Sequence, residues 1–115
     1  MKIIDPEKIT ELSELDDDGS NSTLKELVQM YLKNMPLKLE DFKRKLEEKN
    51  YSELRKLAHS TRSASLSFGA EKVASIVFNI EYAKENCTHE EFTDHVFQLE
   101  NAFKEVKIAL EKYTK

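Results

Sequence analysis

Ala58-His59-Ser60-Thr61-Arg62-Ser63-Ala64-Ser65-Leu66-Ser67-Phe68-Gly69-Ala70 is the stretch whose reading decides the fold. No proline interrupts it, and a glycine ends it. Projected at about 100° per residue, the helical period, residues 54–68 gather Leu54, Leu57, Ala58, Thr61, Ala64, Ser65 and Phe68 on one face. His59 then falls roughly 150° from the middle of that face. Arg55, Arg62 and Ser63 are its neighbours one turn away on either side, and Leu66 follows on the same side a turn further on. The pattern predicts a helix that buries one stripe and presents an imidazole to water between cations. A histidine facing water keeps a nucleophilic ring nitrogen at neutral pH. Gly69 stands where the helix should stop, free to take the left-handed backbone of a C-cap.

The same period runs outward in both directions. Upstream, Asn50 and Glu53 mark the start of the histidine helix, with Tyr51 leading in. Before them, Leu24, Leu27, Val28, Tyr31, Leu32, Met35, Leu39, Phe42 and Leu46 recur at three- and four-residue steps. That pattern passes through Pro36, which predicts one long helix kinked there rather than two. Thr23 and Glu26 have capping-box spacing at its beginning. The charged run Lys43-Arg44-Lys45 with Glu47-Glu48-Lys49 reads as a solvated face and helix end. Near the N-terminus, Asp5 can cap a helix opened by Pro6, and Ile4 and Ile9 have the spacing of a hydrophobic staple. Ile9, Leu12 and Leu15 make its short apolar stripe. Asp16-Asp17-Asp18 hints at calcium, but no glutamate closes a twelve-residue loop and the ligands do not alternate. A solvated inter-helix loop is the better reading.

Downstream, Val73, Ala74, Val77 and Ile80 form the stripe of a further helix, broadened by Ile76 and Ala83. Glu81 falls on this apolar face and needs a partner, either a backbone amide or a basic side chain. Phe78 and Tyr82 point elsewhere, and the pattern gives no reason for them. Thr88 and Glu91 have the spacing of another capping box. In the last helix, Phe92, Val96, Leu99, Phe103, Val106, Leu110 and Tyr113 step by 4, 3, 4, 3, 4, 3. This is a seam for bundle packing at about +20°.

Short loops between long amphipathic helices force neighbours to run antiparallel. The expected fold is all-α: an antiparallel up-down four-helix bundle with a short extra N-terminal helix, forming one domain over residues 1–115. A chain of 115 residues with two glycines and two prolines suits that architecture. A formal charge of −4 offers no basic field, so nucleic acid is not an expected partner. No apolar run reaches the ~18–20 residues of a membrane span, and the first residues lack a signal-peptide core. Both point to the cytoplasm. Cys87 stands alone, without a disulfide partner or a zinc ligand set. A monomer is expected, although the heptad seam of the last helix would also suit a dimer.

With those residues in place, the chain resembles the histidine-containing phosphotransfer (HPt) family. The resemblance rests on the pair Ala58-His59, the cation Arg62 three positions on, the small residues that follow, and Gly69 ten positions after the histidine. Val73, Ile80 and Glu81 fit the family's downstream leucine, leucine and glutamate positions. The match covers about residues 24–86, and the final helix agrees in pattern alone. Arg62 stands where the family usually has lysine, which keeps the charge and changes its shape. Ser63 stands where many members have glycine.

The resemblance implies a phosphoryl carrier, without catalytic site or cofactor of its own, between response-regulator receiver domains. One receiver would belong to a hybrid histidine kinase and one to a downstream regulator. It implies that His59 accepts the phosphoryl group, Arg62 stabilises its charge and Gly69 is structural. Arg55, Ser63 and Leu66 are candidates for receiver docking. The metal that supports the transfer belongs to the receiver, and no metal site is expected here.

Plainer readings stand beside these. Arg55 and Arg62 could be solubilising charges, and Leu66 could close the helix end against the bundle. His89 and His95, six residues apart, suit neither a shared metal nor a relay and read as surface residues. Ser60, Ser63 and Ser67 lack a base to activate them, so hydrolase chemistry has little support. The alternative function is a degenerate HPt-like module that docks on a receiver or kinase without carrying phosphate.

Overall fold

A computed structural model describes residues 1–114 of the chain. Among them the secondary structure is helical throughout, in five elements: α1 (Pro6–Ser13), α2 (Ser22–Glu47), α3 (Tyr51–Leu66), α4 (Glu71–Glu81) and α5 (His89–Glu111). Helices α2 to α5 form a closed ring in which α2 packs on α3, α3 on α4, α4 on α5 and α5 back on α2. The fold is the antiparallel four-helix bundle, and α1 leans on α2 outside the ring. Short connections, such as residues 48–50 between α2 and α3, leave each helix no choice but to reverse on its predecessor.

The core follows the apolar periodicity. Helix α2 buries Leu24, Val28, Tyr31, Met35, Leu39, Phe42 and Leu46, and α5 buries Phe92, Val96, Leu99, Phe103, Val106 and Leu110. Fully burying side chains of this kind is worth roughly 1.5–3 kcal/mol each. Helix α2 runs through Pro36 as one element. Pro36 is exposed, so the carbonyl that loses its partner there can turn to water. Leu15 departs from expectation: α1 ends at Ser13 and leaves Leu15 61% exposed instead of in the stripe.

Helix starts explain much of the local sequence. Asp5 caps α1 through a 3.0 Å bond from the Glu7 amide, and Asn50 caps α3 through the Glu53 amide at 3.3 Å. Thr88 accepts from the Glu91 amide at 3.1 Å, while Glu91 takes the Thr88 hydroxyl rather than its backbone amide. The capping box expected at Thr23 does not form. Instead Asp16 reaches back from the preceding loop and accepts from both the Thr23 amide (2.8 Å) and hydroxyl (2.7 Å). At least one aspartate of the acidic run is thus a helix cap.

Helix α3 is fixed at its far end as well. The Ala70 amide bonds the Ser65 carbonyl and the Gly69 amide bonds the Leu66 carbonyl, both at 3.0 Å, which is the Schellman pairing. Gly69 takes φ +64°. It has a second reason to be glycine: a Cβ there would meet the Asp5 Cβ at 2.1 Å. The N-terminal segment lies on this turn, bonded from the Asp5 amide to the Phe68 carbonyl at 3.1 Å and from the Lys72 amide to the Lys2 carbonyl at 3.0 Å. Within α3, Leu54, Ala58, Thr61 and Ser65 are buried, and Ala64, expected among them, is exposed. Ser65 is paid no penalty for its burial, since its hydroxyl meets the Tyr31 hydroxyl at 2.9 Å.

Candidate functional site

His59 sits in the middle of α3 with its side chain 66% exposed. Its Nδ1 lies 2.5 Å from Oε2 of Glu81, the last residue of α4. An ionised carboxylate can only accept, so Nδ1 carries the hydrogen of this bond. In the neutral ring the lone pair is then left on Nε2, the ring nitrogen farther from the backbone. The partner that Glu81 needed on its apolar face is thus the histidine of the neighbouring helix.

Glu81 is 14% exposed, and its second oxygen, Oε1, is covered without a hydrogen-bond partner. Arg62 Nη1 stops 3.9 Å from that oxygen, beyond hydrogen-bond reach. The guanidinium lies over the ring of Phe78, with Cζ 5.0 Å from the centroid. Phe78 in turn touches Tyr82, ring centroids 4.7 Å apart. The aromatic pair without a rationale in the sequence therefore borders the site and holds its cation.

A carboxylate at the C-terminal end of a helix stands on the unfavourable side of the helix dipole. Arg55 offsets this. Its Nη1 donates to the backbone carbonyls of Glu81 (3.3 Å) and Ala83 (2.7 Å), and its guanidinium lies 5.7 Å from the Phe92 centroid. The docking role expected of Arg55 thus meets a competing duty, since its donors close the end of α4. Arg55, Lys56, His59 and Glu81 line a shallow hollow on the surface.

The remaining candidates divide. Ser63 and Leu66 are exposed one and two turns along α3 from His59, on the same face. Gly69 is buried in the turn beyond. His89 is exposed and its Nδ1 lies 2.8 Å from the Tyr51 hydroxyl, away from His59. His95 corrects the surface reading: it is half-buried, and its Nδ1 is covered without a partner. Among the described residues no three His, Cys, Asp or Glu side chains are grouped to hold a metal ion.

Chemically, the arrangement is an accessible imidazole whose inner nitrogen is tied to a carboxylate, with a guanidinium one turn away. It can offer Nε2 to an electrophile, stabilise the ring as positive charge develops, and set a cation beside an incoming anionic group. Sequence reasoning put forward His59 and Arg62, which the fold brings together, and left Glu81 and Phe78 outside the candidate site. The signal for Glu81 was its charge on an apolar stripe.

Compared with known protein families, the chain matches the Hpt domain over residues 26–109, a span that takes in α3 and α4 whole and leaves α1 outside. No curated protein and no solved structure matched it.

Proposed function

The chain belongs to the Hpt domain family, with a phosphotransfer-related role in two-component signalling, and from that premise we propose that His59 relays a phosphoryl group between receiver domains. Domains of this family are phosphocarrier modules that interact with response-regulator receivers. The observation that carries the proposal is the exposed His59 ring with Nδ1 tied to Glu81 and Nε2 left free.

In the forward step, Nε2 attacks the phosphorus of a receiver's aspartyl phosphate. A new N–P bond forms, the O–P bond breaks, and its electron pair leaves on the aspartate carboxylate. The imidazole becomes a cation that keeps its Nδ1 hydrogen, and the Glu81 carboxylate stabilises it through that hydrogen. Transfer to a second receiver reverses these events. The transition state is loose, so the carrier's work is to hold the ring and to place charge. Arg62 supplies the charge. At 35% exposure its contribution is about 1 kcal/mol, several-fold in rate, well below a buried oxyanion donor. Ser63 and Leu66 form the part of the receiver contact nearest the ring. The same reading puts the protein in the cytoplasm; no helix among the described residues is long and apolar enough to cross a membrane.

The test is transfer of label from an aspartyl-phosphorylated receiver. Wild type takes acid-labile, base-stable phosphate, and His59→Gln takes none. Unlabelled wild type against every receiver of its source, with receiver affinity unchanged by His59→Gln, would replace the relay by a docking module.

A further inference from the structure

Phe78 is exposed, sits three residues before Glu81 on α4, and turns the face of its ring to Arg62. Residues three apart on a helix share a side, so Phe78 and Glu81 confront the same stretch of α3. Between them lies a guanidinium with two possible attachments. One is the orphaned Oε1 of Glu81, whose burial makes it a strong acceptor for any donor that can reach it. The other is the aromatic face. The guanidinium lies on the second and reaches the first only as a long ion pair, 3.9 Å from Oε1 and without a hydrogen bond.

We propose that Phe78 is a positioning residue that holds Arg62 off Glu81, so that the guanidinium keeps donors free for the phosphoryl group while Glu81 stays committed to the imidazole. This deepens the relay reading and rests on it. Without the ring, Arg62 can close on Oε1 and enter a fork with the carboxylate, the geometry that arginine favours. Both halves of the site then suffer. The cation is occupied, and the carboxylate is shared between Arg62 and His59. Tyr82 also touches Phe78, with the two rings tilted by 44°.

The experiment uses phosphoramidate, a small donor that needs no receiver. His59 Nε2 attacks its phosphorus, the P–N bond breaks and neutral ammonia leaves. Phosphorylation is followed by 31P NMR in wild type, Phe78→Leu, Phe78→Tyr and Arg62→Ala. The expected result is a loss of about threefold for Phe78→Leu, the reach of an exposed cation–π contact. Phe78→Tyr, which keeps the ring, should retain the wild-type rate. In an Arg62→Ala background Phe78→Leu should cause no further loss, because the residue acts through Arg62. A second reading comes from 15N NMR of the His59 ring in the unphosphorylated protein. Wild type should show the Nδ1–H form, and Phe78→Leu a mixture with Nε2–H as Glu81 is drawn away.

Equal rates for wild type and Phe78→Leu, or an undiminished loss in the Arg62→Ala background, would overturn the role of Phe78 and leave the relay intact. A wild type that takes no phosphate from either phosphoramidate or a receiver would bring down the relay, and the role of Phe78 with it. A folding defect in Phe78→Leu would show as lost dispersion in the same spectra. Phe78→Met, a second ringless variant with good helix propensity, then takes its place, and a rate equal to that of Phe78→Tyr would overturn the role of Phe78.

Discussion

His59 Nδ1 and Glu81 Oε2 meet at 2.5 Å across the α3–α4 seam, joining the exposed ring to a nearly buried carboxylate on another helix. The bond leaves Nε2 as the ring nitrogen without a partner, and under the proposed relay the carboxylate would face the positive charge that phosphorylation creates on the ring.

Glu81→Gln tests the charge separately from the geometry. The amide oxygen can still accept from Nδ1–H, but the ionic part of the bond is lost. Ionic hydrogen bonds are worth about 1.5–3 kcal/mol and neutral ones about 0.5–1.5 kcal/mol. A difference of about 1 kcal/mol predicts phosphorylation roughly fivefold slower. Initial rates of label uptake measure this, and an unchanged rate would remove Glu81 from the chemistry.

Gly69→Ala should destabilise the fold by about 2–3 kcal/mol, more than a left-handed alanine alone. The added Cβ would overlap Asp5 as well as strain the backbone. Gly19→Ala is the control, since φ there is +71° but nothing lies within 4 Å of the new atom. It should cost only about 1 kcal/mol. Urea midpoints compare the two, and faster amide exchange at Asp5 in Gly69→Ala would report the loosened N-terminal segment.

Lys49→Gly should stabilise. Lys49 holds φ +58° in the turn after α2, where its amide bonds the Leu46 carbonyl at 3.0 Å and the next amide bonds Lys45 at 2.9 Å. A glycine meets that requirement without steric strain. The expected gain is about 0.5–1 kcal/mol, partly offset by greater freedom of the unfolded chain. A lower urea midpoint for Lys49→Gly would refute it.

Stability should fall in alkali through Tyr31. Its burial against the bundle pushes the phenol above the ordinary 10.0, and the Ser65 hydroxyl opposes that only in part. A group whose folded pKa is raised holds its proton longer in the native state. Its contribution is complete below pH 10.0 and is lost as pH rises through the higher folded value. Tyr31→Phe should therefore show a shallower decline than wild type above about pH 10. Equal slopes in the two proteins would contradict this.

Sequence periodicity carried most of the bundle. The seam of α5 holds as far as Leu110, with Tyr113 half-buried past the helix end. The stripe of α2 runs through Pro36 except at Leu27, which is exposed at the margin of the face. Each repeats one apolar face long enough to be unmistakable. Ends were harder. Leu15 has the right spacing but lies past the last turn of α1, and Ala64 sits at the margin of a narrower buried face. The cap of α2 comes from Asp16, seven residues upstream of Thr23, where no local spacing rule would look. In the site, His59 and Arg62 were legible from position on one helix. The duties of Arg55, Glu81 and Phe78 are contacts between helices, and the one-dimensional pattern shows of them only that Glu81 is out of place on an apolar stripe and that Phe78 has no reason there.

The histidine helix is tethered at both ends, by the Asn50 side chain at its start and by the Gly69 turn pressed against Asp5 at its close. A receiver docking on the proposed face would therefore meet a helix already held at both ends. Encounters should then be limited by collision and orientation alone, and selectivity must come from the outline and charge of that face rather than from any adjustment to the guest.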